Sequence, residues 1–289
     1  TVIITGTNFE SITAVTFGGT PASSFSVMSG SQIAAVVGPG TSGVVGVTKT
    51  GYAQVTRSGF TWTGSVMGIT TDFQGFWKTS STNVNTNYPD DAHNLLSFTY
   101  GNVTYSTGVN NDALNANNIA YTAGNFRALP ALFSGNTGSV LFCLGKKMDG
   151  SATQALPTSP LIKDLTFPDV LSDGPQGLNI GSGYANLPAS ATMTFRVKTI
   201  QLNKIADAEP DLVVTQIADP SSGSDTYRFI DASGNIVGNA VVQNLTLLPA
   251  LSNYLLDIYT VPSNMPIANA KMNGIYSANT SRPIRLLAF

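Results

Sequence analysis

Three groups of residues in this 289-residue chain have the types and spacing for chemistry. Asp207, Glu209 and Asp211 alternate along the sequence around Pro210. Carboxylates on every second residue, with backbone carbonyls between them, are the hard oxygen donors that Ca²⁺ takes, and Asp219, Asp225 and Asp231 lie close enough in sequence to add ligands from neighbouring loops. The run lacks the central Gly and terminal Glu of an EF-hand loop, so the competing reading is a set of solvated turn caps. The cofactor is therefore calcium or none. Trp77 with Gln74, and Tyr88 among Asn83, Asn85 and Asn87, pair flat aromatic faces with amides, the chemistry that sugars bind. Alternatively Phe73, Phe76 and Trp77 plug a junction between domains.

The third group is nucleophilic. His93 is the one histidine, so any Ser-His-Asp or Cys-His mechanism must use it. Flanked by Asp90, Asp91 and Asn94, it reads as a solvated loop residue. Cys143 is the one cysteine and sits in the apolar run 140–144, which predicts a buried, inert thiol. Glycoside hydrolysis would need two facing carboxylates, for which only Asp90-Asp91 and the 207–211 run are candidates. No glycine-rich string matches a phosphate-binding loop.

Composition narrows the classes further. Charged residues make up 10% of the chain and the net charge is −2, so the basic footprint that nucleic acid demands is absent. One cysteine makes neither an internal disulfide nor a thiolate zinc site. No stretch reaches the roughly 18 apolar residues of a membrane helix, which leaves no membrane span. Polar positions are dominated by Asn, Thr, Ser and Gly, and Glu occurs only at Glu10 and Glu209, a surface suited to the outside of a cell.

The elements that must hold these residues are strands. Gly or Pro recurs before a 3.6-residue pattern can extend over three turns. Short β-rich runs at 2–4, 14–17, 24–27, 33–37 and 44–47 are instead separated by Thr5-Gly6-Thr7-Asn8, Gly18-Gly19, Ser29-Gly30-Ser31 and Gly38-Pro39-Gly40. That rhythm predicts a sandwich with Phe9, Val15, Phe17, Phe25, Val36 and Val45 in its core. From about residue 65 the rhythm loosens, yet runs at 95–100, 103–105, 139–144, 192–200, 212–217, 226–231 and 255–259 still read as strands. Asp231-Ala232-Ser233-Gly234-Asn235 is a hairpin signal. In 192–200, Phe195 and Val197 are expected on the apolar face against Arg196 and Lys198. The chain is thus all-β, divided as residues 1–64 and 65–289 with a possible subdivision near Asp207, and the second part is expected to be a larger jelly-roll or lectin-like sandwich.

The strings Val2-Ile3-Ile4-Thr5-Gly6-Thr7-Asn8-Phe9, Ile12-Thr13-Ala14-Val15-Thr16-Phe17-Gly18-Gly19, Pro21-Ala22 and Gly43-Val44-Val45-Gly46-Val47, with Gly51 and Phe60, resemble the IPT/TIG family of immunoglobulin-like domains over about residues 1–63. The remainder is loosely similar in texture to β-sandwich modules of bacterial surface adhesins. The first resemblance implies an interaction module of stalks and receptors. It also implies a strand ahead of the Thr1 segment, so an edge along Val2, Ile3 and Ile4 is expected to lie open and to recruit another strand.

The function read from this is a non-catalytic, extracellular structural and adhesive cell-surface protein, a subunit of a fibre or stalk built by β-strand addition. Its expected partners are copies of itself or adjacent domains of a larger surface protein, and glycans. The alternatives are a glycan-binding lectin-like module and a secreted polysaccharide hydrolase.

Overall fold

The computed structural model describes residues 2–38, 42–60, 64–72, 77–78, 93–144, 156, 164–197, 209–216, 224–244 and 248–288. Strands make up 52% of the described residues and helix is almost absent among them, which sets the class as all-β. Every ladder between named strands is antiparallel.

The first seven strands are β1 (Val2–Thr5), β2 (Ile12–Phe17), β3 (Thr20–Pro21), β4 (Ser24–Ser29), β5 (Gln32–Val36), β6 (Gly43–Lys49) and β7 (Val55–Phe60). They form two sheets, ordered β1-β5-β4 and β3-β2-β6-β7. Period-2 alternation sends Val15 and Phe17 from one sheet, and Ile33 and Ala35 from the other, into one core that Phe9 closes. Phe60 adds a ring 4.8 Å from that of Phe17. Gly18 and Gly19 both adopt positive φ, as the two-residue turn between β2 and β3 requires. Phe25 and Val45 pack against this core as expected. Val36 does not: it is 41% exposed, because the inward parity on β5 belongs to Ile33 and Ala35.

From residue 64 onward the strands pair with one another. β8 (Gly64–Thr71), β9 (Trp77–Lys78), β10 (Leu95–Tyr100), β11 (Val103–Ser106), β13 (Leu141–Leu144), β14 (Ser182–Ala185), β16 (Val213–Gln216), β19 (Ser252–Thr260) and β20 (Gly274–Ala288) share one sheet, with the path β11-β10-β8-β20-β19-β13-β14. Strands on both sides of residue 207 thus belong to the same sheet, since β16 and β8 both pair β20. Two small sheets stand beside it, β12 (Ala131–Ser134) with β15 (Thr192–Phe195), and β17 (Ser224–Ile230) with β18 (Ile236–Asn244).

β13 explains how the layers stack. Cys143 faces a core shared with Phe98, Leu256, Ile258 and Ile284, while its neighbours Phe142 and Leu144 face a second core with Phe167, Val170, Tyr259 and Ile267. A strand apolar on both faces is buried on both, which is why residues 140–144 read as a continuous hydrophobic run. The second core is roofed by a four-residue helix, Phe167–Val170, whose Asp169 carboxylate accepts from the backbone N–H and the hydroxyl of Thr166 at 2.8 and 2.6 Å.

β15 departs from the alternation expected of 192–200. Phe195 and Val197 are exposed, and it is Met193 that turns inward, its sulfur 3.6 Å from the Tyr184 hydroxyl. Met193 and Phe195 share one face of the strand; pairing with β12 sets Met193 opposite Phe133, which packs on the second core, and Phe195 opposite Ala131 at the other end of the ladder. In the polar 108–118 stretch the chain forms a short helix, Asn111–Ala116, capped by the Asn110 side chain, which accepts from the Ala113 N–H at 3.0 Å.

Candidate functional site: an open strand edge

β1 is an edge strand. Among the described residues its one ladder is with β5, Val2 facing Ala35, Ile3 facing Ala34, Ile4 facing Ile33 and Thr5 facing Gln32. Val2 and Ile4 lean into the core and Ile3 points outward, 56% exposed. Along its other side, among the described residues, no ladder forms. The turn leaving β1 is fixed tightly. The Gly6 N–H donates to Ser31 and the Phe9 N–H to Gly30, both at 3.0 Å. A Cβ on Gly6 would lie 2.5 Å from the Phe9 ring, so glycine there allows Phe9 to fold back under the sheet.

The four sheet edges of this region are not equivalent. β3 is two residues long and ends in Pro21; β7 carries Arg57; β4 breaks register between Val27 and Ser29. Short length, proline, charge and bulges are the devices that blunt an edge. β1 has a regular ladder, no charge and no proline, so it offers a row of backbone donors and acceptors at the standard strand spacing.

The other expected sites are placed differently. Asp207 lies outside the described residues, and Glu209 and Asp211 stand just ahead of β16, Asp211 exposed. Asp225 receives the Tyr227 hydroxyl at 3.4 Å, and Asp231 is engaged by its own turn, accepting from the Ser233 and Asn235 N–H groups at 2.8 and 2.9 Å and from the Asn235 side chain at 3.0 Å. Among the described residues no group of three or more His, Cys, Asp or Glu is arranged to hold a metal. Gln74 and Tyr88 lie outside the described residues; Trp77 stands in β9, opposite Thr71 of β8, in a ladder and not in a loop.

His93 is not a solvated loop residue. It is fully buried, its backbone carbonyl accepts from Ile180, and a Cβ on Gly181 would sit 2.9 Å from its Nδ1. His93 opens a buried polar junction that sequence reading missed, where Asn94 and Asn179 form an isolated antiparallel bridge. Asp72 accepts from Asn94, and Asp173 accepts from the Asn179 side chain at 3.0 Å. The signal available in sequence was the pair of Asp/Asn pairings themselves, which become recognisable only once β8, β10 and the 172–181 segment are adjacent. Cys143 is buried as expected, and desolvation pushes its thiol up to about 12.

Two small antiparallel sheets face to face around the Phe9–Phe17 core make the N-terminal region an immunoglobulin-like sandwich. Residues 1–74 match the family model of the IPT/TIG domain, so this part of the chain is an IPT/TIG domain, a general Ig-like domain found in extracellular and cell-surface proteins. The match extends into β8, whose ladders are with β9, β10 and β20. No curated protein and no solved structure matches the chain.

Proposed function

We propose that the chain is a non-catalytic structural and adhesive piece of a cell-surface protein, and that its IPT/TIG domain is a link in a fibre or stalk, taking along β1 an extended segment from another copy of the chain. The observation that carries this reading is the regular, uncharged outer edge of β1, the least guarded of the four edges of its sandwich. A contact between an edge and a different segment of the next copy is heterologous and propagates. The net charge of −2 on 289 residues leaves little self-repulsion against close packing of copies. Burial of Cys143 and His93 supports the absence of a nucleophile.

The test is light scattering of the concentrated chain beside an Ile3→Lys variant and in the presence of a free four- to six-residue peptide carrying the Val-Ile-Ile-Thr pattern. Concentration-dependent growth that the lysine suppresses and the peptide caps is the expected result. A chain that stays monomeric, with unfolding unaffected by the peptide, would overturn the reading.

A further inference from the structure

The segment from Gly64 to Ala288 enters and leaves its sheet at one corner. β8 begins at Gly64 and β20 ends at Ala288, and these two residues face each other in an antiparallel ladder whose other rung is Ser65 with Leu287. Residues 64–288 are therefore a closed excursion, its two ends held about 5 Å apart as ladder partners. Ahead of it, β7 ends at Phe60, whose ring lies against Phe17 in the IPT/TIG core. Among the described residues no ladder and no core cluster is shared between β1–β7 and β8–β20. Tension along the chain thus reaches the second unit at Gly64 and leaves it at Ala288.

Strand direction decides how that tension is borne. Antiparallel strands pulled from opposite ends are loaded along the ladder, and all rungs resist together; pulled from a shared end, they are loaded across it and part rung by rung. Gly64 and Ala288 are a shared end. Past the two rungs with β20, β8 is held by β10, and that ladder too is met from its end, at the Val66–Tyr100 rung. Val66, Leu287 and Ala288 are at most 1% exposed, so parting this corner opens the core and the unit gives way cooperatively. We propose that residues 64–288 form a tension-released reserve of length, a folded unit that unzips from the Gly64–Ala288 corner and lengthens the chain by on the order of 800 Å at ~3.6 Å per residue. The release rests on this ladder and is independent of what β1 takes up.

Single-molecule stretching of the full chain, held at residues 1 and 289, tests this. The long release is expected beside a shorter one of roughly 200 Å from the IPT/TIG sandwich, which serves as the internal control. Moving the second handle to Asn273→Cys, an exposed position at the opposite end of β20, loads the same strands along their length. The long release should then need roughly twofold more force. Cys143 is buried and does not compete for the handle. Gly64→Cys with Ala288→Cys, or Ser65→Cys with Leu287→Cys, closes the corner by a disulfide, one rung of such a ladder being closer than the other. With the corner closed the long release should vanish, and return with reductant, while the IPT/TIG release persists in both states. Thermal melts of the reduced variants check folding, and the comparison of handles needs neither pair. Equal force from the two handles, a lower force from Asn273→Cys, a long release that survives a closed disulfide, or failure of both pairs to close in a chain that melts normally would overturn the proposal.

Discussion

Asp72 holds Asn94 at two points: its Oδ1 accepts the backbone N–H and its Oδ2 the side-chain amide, each at 2.8 Å. The pairing ties the end of β8 to the entry of β10 where Asn94 also bridges Asn179. Because Asn94 is buried, Asp72→Ala leaves two donors without a partner, and a loss of about 1–3 kcal/mol is expected per orphaned group. Urea unfolding with an unchanged m-value is the check. A midpoint shift equivalent to less than about 0.5 kcal/mol would show the pairing to be incidental.

Gly174 packs under the same junction. It has φ of +79°, and a Cβ there would lie 2.3 Å from Asn94 Oδ1 and 2.9 Å from Asn179 Cβ. Gly174→Ala is expected to cost about 1–2 kcal/mol for the left-handed backbone, plus about 1–3 kcal/mol for the overlap. A thermal melt should show it more destabilising than Gly51→Ala, where φ is +79° and nothing lies within 4 Å.

In the IPT/TIG core, Phe17→Ala should cost about 3–5 kcal/mol, since the ring is buried against Phe60. Val36→Ala on the neighbouring sheet should cost much less, about 0.5 kcal/mol, because that side chain lies outside the core and is 41% exposed. Equal losses at the two sites, read by denaturant unfolding, would mean that the register of β5 is wrong.

Cys143 should be silent in the folded chain. With its thiol at about 12, the thiolate fraction at pH 8 is on the order of one in ten thousand, and the sulfur is enclosed. A thiol-reactive disulfide reagent is expected to label it only after denaturation; rapid labelling of the native protein would restore a nucleophile to consideration.

The hairpin turn carries a pH dependence of definite sign. Hydrogen bonds from the Asn235 side chain and backbone, and from the Ser233 amide, hold the Asp231 carboxyl below its usual value. A depressed carboxylate contributes stability that is present above the unfolded value of about 3.9 and is lost as pH falls through the lower folded value. Amide exchange at Ser233 and Asn235 should therefore accelerate selectively under acid, and Asp231→Ala should remove that selectivity.

The sequence by itself determined the strands of the first sandwich and its Gly-Gly turn, and the later Asp-Ala-Ser-Gly-Asn hairpin, because alternation and turn residues are local signals set by backbone sterics within a few residues. It also determined that Cys143 lies in a doubly covered strand, since a continuous apolar run has no wet face to offer. Which parity of a half-polar strand turns inward was not local: Ala35 over Val36 was decided by the strands that β5 pairs with, and a one-residue shift inverts every side chain. The junction of Asp72, His93, Asn94 and Asn179 was likewise beyond sequence, because polar residues read as solvated until the fold brings the partners that satisfy them, and burial with those partners is a property of segments far apart along the chain.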